Sequence, residues 1–163
     1  MQKDKILIVD DEKDISKLLD YNLKQQGYST VIVDNGEDSL KLSRELKVDL
    51  ILLDIMLPGI NGIDVCTILK NDSDTENIPI IMLSAKGEEN DIIRGLEVGA
   101  DDYVTKPFSI SILSARIKRL LKRNKKQTDN SSISFKELTI EVNSREVYVD
   151  NERIELTFTE FEI

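Results

Sequence analysis

Short apolar runs alternate with segments of helical periodicity along the first 124 residues. A run such as LILLD (50–54) predicts a strand that is buried on both faces, because it holds four aliphatic residues. After the first run, apolar residues recur at helical spacing from Ile15 to Leu23 and stop at Gly27, which predicts a helix. The predicted strands lie in KILIVDDE (5–12), STVIVDNG (29–36), LILLD (50–54), IPIIMLSA (78–85) and DYVTKPF (102–108).

The later helices are marked by apolar residues that recur at helical spacing. Five alternations of strand and helix predict a parallel sheet with helices on both faces, because right-handed crossovers place the helices there. The sequence therefore predicts an α/β fold with a five-stranded, doubly wound parallel sheet. The marker positions are Leu40 and Leu46 in the second helix, Ile63, Cys66 and Leu69 in the third, Ile92, Ile93 and Leu96 in the fourth, and Leu113, Ile117, Leu120 and Leu121 in the fifth.

Beyond residue 124 the pattern changes twice. KKQTDNSS (125–132) contains no apolar residue, and we interpret it as a linker. In residues 133–163 apolar and polar positions alternate between turn signals, which predicts a short antiparallel β-meander. Thr157 and Glu160 then form a capping box, so a helix is predicted to start close to the end of the chain. We expect residues 133–163 to be the beginning of a second, incomplete domain.

Composition limits the chemistry that the chain can carry. Histidine is absent and Cys66 is the only cysteine, so histidine-based catalysis, histidine metal ligation and an intramolecular disulfide are excluded. The net charge of −9 and the pI near 4.6 argue against nonspecific nucleic-acid binding by the bulk of the chain. No signal peptide and no long apolar segment can be recognised, so we expect a cytosolic protein without a membrane partner.

Polar residues close several of the predicted strands. Asp10 and Asp11 end the first strand, Asp54 ends the third, Ser84 ends the fourth and Lys106 ends the fifth. In a doubly wound sheet, ligands bind beyond the carboxyl ends of the strands, at the switch in strand order. We therefore expect three carboxylates, one hydroxyl and one ammonium to meet at one edge of the sheet.

Three carboxylates in one place repel one another, since two unit charges about 4 Å apart interact by roughly 4 kcal/mol at an effective dielectric constant near 20. A hard divalent cation relieves this repulsion, and an all-oxygen site favours Mg²⁺ over zinc. Lys106 supplies a further positive charge. A carboxylate beside Mg²⁺ and an ammonium can attack phosphorus, so these residues predict an aspartyl phosphate at Asp54.

Five short motifs carry a resemblance to known proteins: VDDE (9–12), LLDIMLPGING (52–62), LSA (83–85), GADDYVTKPF (99–108) and LTFTEF (156–161). Residues 1 to about 124 resemble the receiver domain of a two-component response regulator, which implies a flavodoxin- or CheY-like fold. Residues 133–163 resemble the opening β-meander of the winged-helix effector of the OmpR/PhoB subfamily. We expect this chain to lack the recognition helix, so the resemblance places DNA binding and transcription control in a full-length effector domain.

The resemblance implies a role for each polar residue at the strand ends. It makes Asp54 the phosphoacceptor. It implies that Mg²⁺ binds to Asp11, Asp54 and the Met56 carbonyl, while Asp10 holds a metal-bound water. Lys106 contacts the phosphoryl group. In this interpretation the chain is a phosphoacceptor with slow self-dephosphorylation and not an enzyme that turns over external substrates.

Further roles concern the switch that follows phosphorylation. The resemblance implies that Ser84 moves to a phosphoryl oxygen while Tyr103 rotates inward, and that the Lys106–Pro107 peptide is cis. We also expect Met56 and Lys86 to flank the path of the attacking water and so to tune the lifetime of the phosphate.

The resemblance implies a sensor histidine kinase as the phosphodonor, and a homodimer that forms through the fourth helix, fifth strand and fifth helix after phosphorylation. Many relatives carry a charged pair where this chain has Ile92 and Ile112, so we predict an apolar contact across the dimer there. The charged residues expected on this face are Glu97, Asp101, Asp102, Arg116, Lys118 and Arg119, with Glu97 facing Lys118 and Asp102 facing Arg116 across the two-fold axis.

Two other functions remain open on the residues. A phosphohydrolase of the haloacid dehalogenase type also forms an aspartyl phosphate on an α/β sheet, but it usually carries a second acid two residues after the nucleophile, where this chain has Met56. A passive flavodoxin-like ligand binder shares the fold, but it gives no reason for the acids, the hydroxyl and the lysine to meet.

Overall fold

The computed structural model describes residues 2–85 and 89–129, and four short strands between 132 and 154. Within the first two ranges, the side chains at 89, 91, 92 and 127–129 are not described, and in the four short strands only the backbone is. The chain divides into two compact units, Met1–Leu121 and Lys122–Ile163.

Strands and helices alternate along the first part of the chain, and the five predicted strands and five predicted helices are all present. The order is β1 Lys5–Val9, α1 Lys13–Gln25, β2 Ser29–Val33, α2 Gly36–Glu45, β3 Leu50–Asp54, α3 Gly62–Lys70, β4 Ile80–Ala85, α4 Glu89–Glu97, β5 Asp102–Lys106 and α5 Ile110–Asp129.

The five strands form one parallel sheet in the order β2-β1-β3-β4-β5, which confirms the predicted fold. Successive side chains of the buried strands point to opposite faces, and each face has its own core. Apolar residues of α2 and α3 pack on the first face, and those of α1 and α5 pack on the second. The strands contribute Leu7, Val9, Ile51, Leu53, Ile80 and Met82 to the first face, and Ile6, Ile8, Leu50, Leu52, Ile81 and Leu83 to the second.

Helix boundaries follow local side-chain chemistry. The side chains of Asn35 and Asn61 accept hydrogen bonds from the backbone N–H three residues later, at 2.8 and 3.0 Å, and thereby cap α2 and α3. Gly27 and Gly99 follow α1 and α4 with φ of 94° and 98°, a conformation that glycine adopts without steric cost. The helix end at Gly27 was predicted from the sequence.

Two helices depart from the simple expectation. In α4, Ile93 and Leu96 are 54% and 53% exposed, while the small Gly95 is buried, so part of the apolar pattern faces solvent. The helix α5 continues to Asp129 and therefore includes the first five residues of the segment 125–132. The assignment of that segment as a linker stays a prediction.

The second unit contains four strands in antiparallel order, β6 Ser132–Phe135, β7 Leu138–Glu141, β8 Glu146–Val149 and β9 Glu152–Ile154. Its assignment to a winged-helix domain is a prediction that this sheet alone does not test. The predicted capping box at Thr157 and Glu160 lies outside the described residues. No helix in the described part of the chain is long and apolar enough to cross a membrane.

Candidate functional site

The sheet places two acidic residues side by side at the switch in strand order. β1 lies between β2 and β3, and its last residue, Val9, is in register with Leu53. Asp10 therefore follows β1 next to Asp54, the last residue of β3. Both carboxyl groups are buried, with 1% and 3% of each residue exposed. Two acids in this position are the core of the predicted site.

The ammonium group of Lys106 reaches across the sheet edge to three carboxylates. Lys106 ends β5, and its Nζ lies 2.9 Å from Asp10 Oδ2, 2.9 Å from Glu12 Oε1 and 3.4 Å from Asp54 Oδ2. The Lys106–Pro107 peptide is cis, as the resemblance implied. We call Asp10, Glu12, Asp54, Ser84 and Lys106 the acidic rim.

Burial and crowding shift the pKa values of two groups in the acidic rim. Burial and the charge of Asp10 raise the pKa of Asp54 to about 6, although Lys106 and the Met56 N–H act in the opposite direction. Burial alone would lower the pKa of Lys106, but its close contacts with the Asp10 and Glu12 carboxylates and the negative charge of Asp54 raise it above its ordinary value. Lys106 is therefore charged at any physiological pH.

A glycine allows α3 to begin directly against Asp54. A Cβ on Gly62 would lie 2.1 Å from the carbonyl oxygen of Asp54, and the Gly62 N–H donates to the carbonyl of Ile55 at 2.8 Å. Any side chain at this position would push the helix away from the strand end. The backbone that carries the phosphoacceptor candidate is thus fixed by close packing.

The donor set of the acidic rim fits Mg²⁺. One carboxylate oxygen each of Asp10, Glu12 and Asp54 lies within 4.8 Å of the others. Among the described residues, the buried Asp10 Oδ2 receives no hydrogen bond, although Lys106 Nζ is within ion-pair distance. Carboxylate and carbonyl oxygens without nitrogen or sulfur are the ligands that a hard cation prefers.

Asp11 and Glu12, which follow Asp10, have different surroundings. Asp11 is exposed and lines a cleft beside Met56, whereas Glu12 joins the acid cluster. The chain bends at Asp11, beyond the end of β1, so the alternation of a strand does not apply to these residues. Glu12 was not predicted from the sequence, and no strand pattern indicates it. The metal-binding role of Asp11 stays a prediction.

The two residues expected to switch are both at the predicted strand positions. Ser84 is 1% exposed, and its Oγ donates to the Ala85 carbonyl at a long 3.3 Å. Tyr103 lies on β5, and its hydroxyl oxygen is buried. A Cβ on Gly95 would lie 3.4 Å from the Tyr103 ring, so the ring is close to α4.

Of the two residues expected to tune the phosphate lifetime, Met56 is 69% exposed, and its N–H donates to Asp54 Oδ1 at 3.3 Å. Lys86 lies outside the described residues. The Met56 side chain, two residues beyond Asp54, is therefore a surface group next to a buried carboxylate.

Four of the six charged residues expected on the dimer face have partners within the chain. Asp102 Oδ1 accepts from Arg116 Nη1 at 2.7 Å, and Asp102 Oδ2 accepts from Arg119 Nη2 at 3.1 Å. Asp101 instead accepts from Lys70 Nζ at 3.0 Å and from the Ile80 N–H at 2.9 Å, which ties it to α3 and β4.

The remaining residues of that face are exposed. Glu97, Lys118 and Ile112 face solvent, with 55% of Ile112 accessible, while the Ile92 side chain is outside the described set. We use the name output face for the described residues of α4, β5 and α5 that lie on this surface. They are Ile93, Leu96, Glu97, Asp102, Ile112, Arg116, Lys118 and Arg119.

Comparison with known proteins gives concordant matches. The family model described as "Response regulator receiver domain" matches residues 6–118. The chain is 47% identical over 167 residues to "Probable transcriptional regulator ycf27" of Guillardia theta. This match covers 99% of this chain and 65% of that protein. It is 42% identical over 161 residues to "DNA-binding response regulator MtrA" of Mycolicibacterium smegmatis, and this match covers 99% of this chain and 69% of that protein.

A solved structure extends the similarity beyond the parallel sheet. Response regulator DrrB, described as a Thermotoga maritima OmpR/PhoB homologue, is 36% identical with a TM-score of 0.67, and the match covers 99% of this chain and 70% of that one. The chain therefore spans about two thirds of the length of these relatives.

Proposed function

Because this chain belongs to the response regulator family, we propose that it is a phosphorylation-controlled switch that accepts a phosphoryl group on Asp54. The main support for this proposal is that the buried Asp54 carboxylate lies 3.4 Å from the Lys106 ammonium and within the cluster formed with Asp10 and Glu12. With a pKa of about 6, Asp54 is mostly ionised at neutral pH and is available as a nucleophile.

The chemistry is a transfer of one phosphoryl group. A carboxylate oxygen of Asp54 attacks phosphorus, the new O–P bond forms, and the bond between phosphorus and the donor breaks with its electron pair leaving on the donor. Lys106 supports the phosphoryl oxygens as negative charge shifts toward them. Bound Mg²⁺ supplies further charge stabilisation. We assign its binding to Asp10, Asp11, Asp54 and the Met56 carbonyl.

The switch that follows is assigned to Ser84 and Tyr103. Within the part of the chain that the structure describes, the Ser84 hydroxyl makes a single, long hydrogen bond to the Ala85 carbonyl, which it can exchange for a phosphoryl oxygen. Because the Tyr103 ring lies close to Gly95 in α4, a change in its position is transmitted to the output face. Met56 and Lys86 remain the proposed modulators of phosphate lifetime.

The proposed partners follow from the family. A sensor histidine kinase donates the phosphoryl group, and two phosphorylated chains pair through the output face. The exposed Ile112 supports an apolar component in that contact. Ile112→Lys is expected to weaken phosphorylation-driven dimerisation in analytical ultracentrifugation, and an unchanged dimer would refute this component. Transcription control is proposed for the full-length protein, whose effector domain contacts DNA. Slow dephosphorylation of Asp54 would set how long its active state lasts.

Incubation with acetyl phosphate and Mg²⁺, followed by intact mass spectrometry, tests the proposed function. The native chain is expected to gain one phosphoryl adduct, and Asp54→Ala is expected to gain none. Steady release of phosphate from many phosphoesters would instead favour a phosphohydrolase, which the comparisons do not favour. The absence of any adduct on the native chain would contradict the switch.

A further inference from the structure

A cleft opens beside the β3–α3 connection, directly after Asp54, and reaches Asp11 and Arg94. Its volume is about 570 Å³, within the range of roughly 300–1,000 Å³ that small-molecule sites occupy. Buried Ile55 and Leu57 of the β3–α3 connection and Ile63 in the first turn of α3 contribute an apolar lining. The exposed Met56 and the carboxylate-bearing Asp11 also line it. The cleft is therefore continuous with the residues that flank the phosphoacceptor.

One cation lines this cleft in the described part of the chain. Arg94, on α4, is exposed and contributes to the wall together with Asp11 and Met56. Among the described residues Arg94 forms no salt bridge, unlike Arg44, Arg116 and Arg119, which each bind an aspartate. An arginine without such a partner beside a small-molecule cleft is available to a ligand.

We propose that Arg94 binds the carboxyl end of a small acyl phosphate while its phosphoryl group is transferred to Asp54. This inference rests on the proposed function. The acyl group must leave on the side of phosphorus opposite to the attacking carboxylate, because attack and departure are in line. Met56 connects the two places, because it lines this cleft and its N–H donates to Asp54 Oδ1 at 3.3 Å.

The chemistry of the leaving group explains the choice of residue. With acetyl phosphate, the Asp54 O–P bond forms, the P–O bond to the acetyl group breaks, and acetate leaves as a carboxylate anion. A guanidinium matches a carboxylate with two parallel N–H donors. With phosphoramidate, the P–N bond breaks and neutral ammonia leaves, which offers nothing to a guanidinium. Arg94 should therefore favour acyl phosphates over donors with neutral leaving groups.

The test compares these two donors on the same protein. Arg94→Gln is expected to lower the second-order rate constant with acetyl phosphate by about tenfold, the scale of one charge-assisted contact. The rate with phosphoramidate is expected to stay unchanged, which also shows that the variant is folded and that Asp54 and Lys106 are intact. Arg94→Lys keeps the charge without the planar pair of donors and is expected to restore only part of the rate.

Lys47→Gln is the matched control for net charge. Lys47 is exposed and lies between α2 and β3, at the amino ends of the strands and thus at the opposite edge of the sheet. Its loss is expected to change neither rate. Intact mass spectrometry follows the phosphoryl adduct in each case.

A binding measurement gives a readout that does not depend on transfer. Acetylphosphonate, which has no bridging oxygen and cannot transfer its phosphorus, is expected to shift the NMR signal of the Arg94 Nε–H group in the native chain.

The outcomes separate this inference from the function on which it rests. Equal loss with both donors, no loss with either, full rescue by Arg94→Lys, or no shift with acetylphosphonate would overturn the role of Arg94. No adduct from either donor on the native chain would instead overturn the proposed function.

Discussion

The acidic rim and the output face both hold short ion pairs, but the surroundings of those pairs differ. Lys106 Nζ is 2.9 Å from Asp10, and Arg116 Nη1 is 2.7 Å from Asp102. The side chains of the first pair are 13% and 0% exposed, whereas those of the second are 40% and 12% exposed. Similar distances therefore occur in very different dielectric environments.

The difference shows why one region is suited to chemistry and the other to association. At about 4 Å, two unit charges interact by roughly 1 kcal/mol in water and roughly 4 kcal/mol at an effective dielectric constant near 20. Burial, together with the neighbouring charges of the acidic rim, shifts the pKa values of Asp54 and Lys106. Charges on the output face can exchange partners at little cost, as pairing with a second chain requires.

The largest expected effect comes from removing the cation of the acidic rim. Lys106→Met leaves the carboxylates of Asp10 and Asp54 buried without their ammonium partner. In metal-free buffer at neutral pH, urea denaturation is expected to show a loss of about 3–5 kcal/mol in the free energy of unfolding. Lys24→Met, which breaks the exposed pair with Asp20, is the control and should cost at most about 0.5 kcal/mol. Equal losses would mean that the two environments do not differ.

A somewhat smaller effect is expected from the pH dependence of Asp54. Its pKa rises from 3.8 to about 6 on folding, so its contribution to stability is fully present below about pH 3.8 and is lost as the pH rises through about 6. In chelator, Asp54→Asn should therefore be more stable than the native chain at pH 7, by up to about 3 kcal/mol.

Urea denaturation of both proteins between about pH 4 and 7 measures this difference, which should shrink toward pH 4. Saturating Mg²⁺ should also shrink it, because the cation stabilises the ionised native carboxylate. A difference that is independent of pH would show that crowding does not raise the pKa of Asp54.

The smallest expected effect is on the output face. Asp102→Asn weakens the contacts to the half-buried Arg116 and the exposed Arg119, so the loss in the free energy of unfolding should be about 1 kcal/mol or less. High salt should reduce this loss further, since exposed pairs are screened. A loss as large as that of Lys106→Met in urea denaturation would contradict the contrast between the two regions.

Most of the fold and the centre of the site were predictable from the sequence, for a physical reason. Buried parallel strands appear as aliphatic runs, and the residue at which such a run ends must lie at the sheet edge. Asp54, Ser84 and Lys106 were found in this way, and the structure places all three at strand ends. Their convergence follows from the parallel order of the strands.

The residues that were missed depend on geometry that strand patterns do not carry. Whether Asp11 or Glu12 joins Asp10 is decided by the backbone just beyond β1. The partner of Asp101 is Lys70, 31 positions away, and no local pattern connects them. Arg94 belongs to the cleft only because α4 packs beside the β3–α3 connection.

The central claim is that Asp54 itself becomes covalently phosphorylated. Borohydride reduces an aspartyl phosphate to homoserine, so treatment after incubation with acetyl phosphate and Mg²⁺ marks the acceptor in peptide mass spectra. The account predicts homoserine at position 54 and none at Asp10, Asp11 or Glu12. Homoserine at one of those three acids, with Asp54 unmodified, would contradict it.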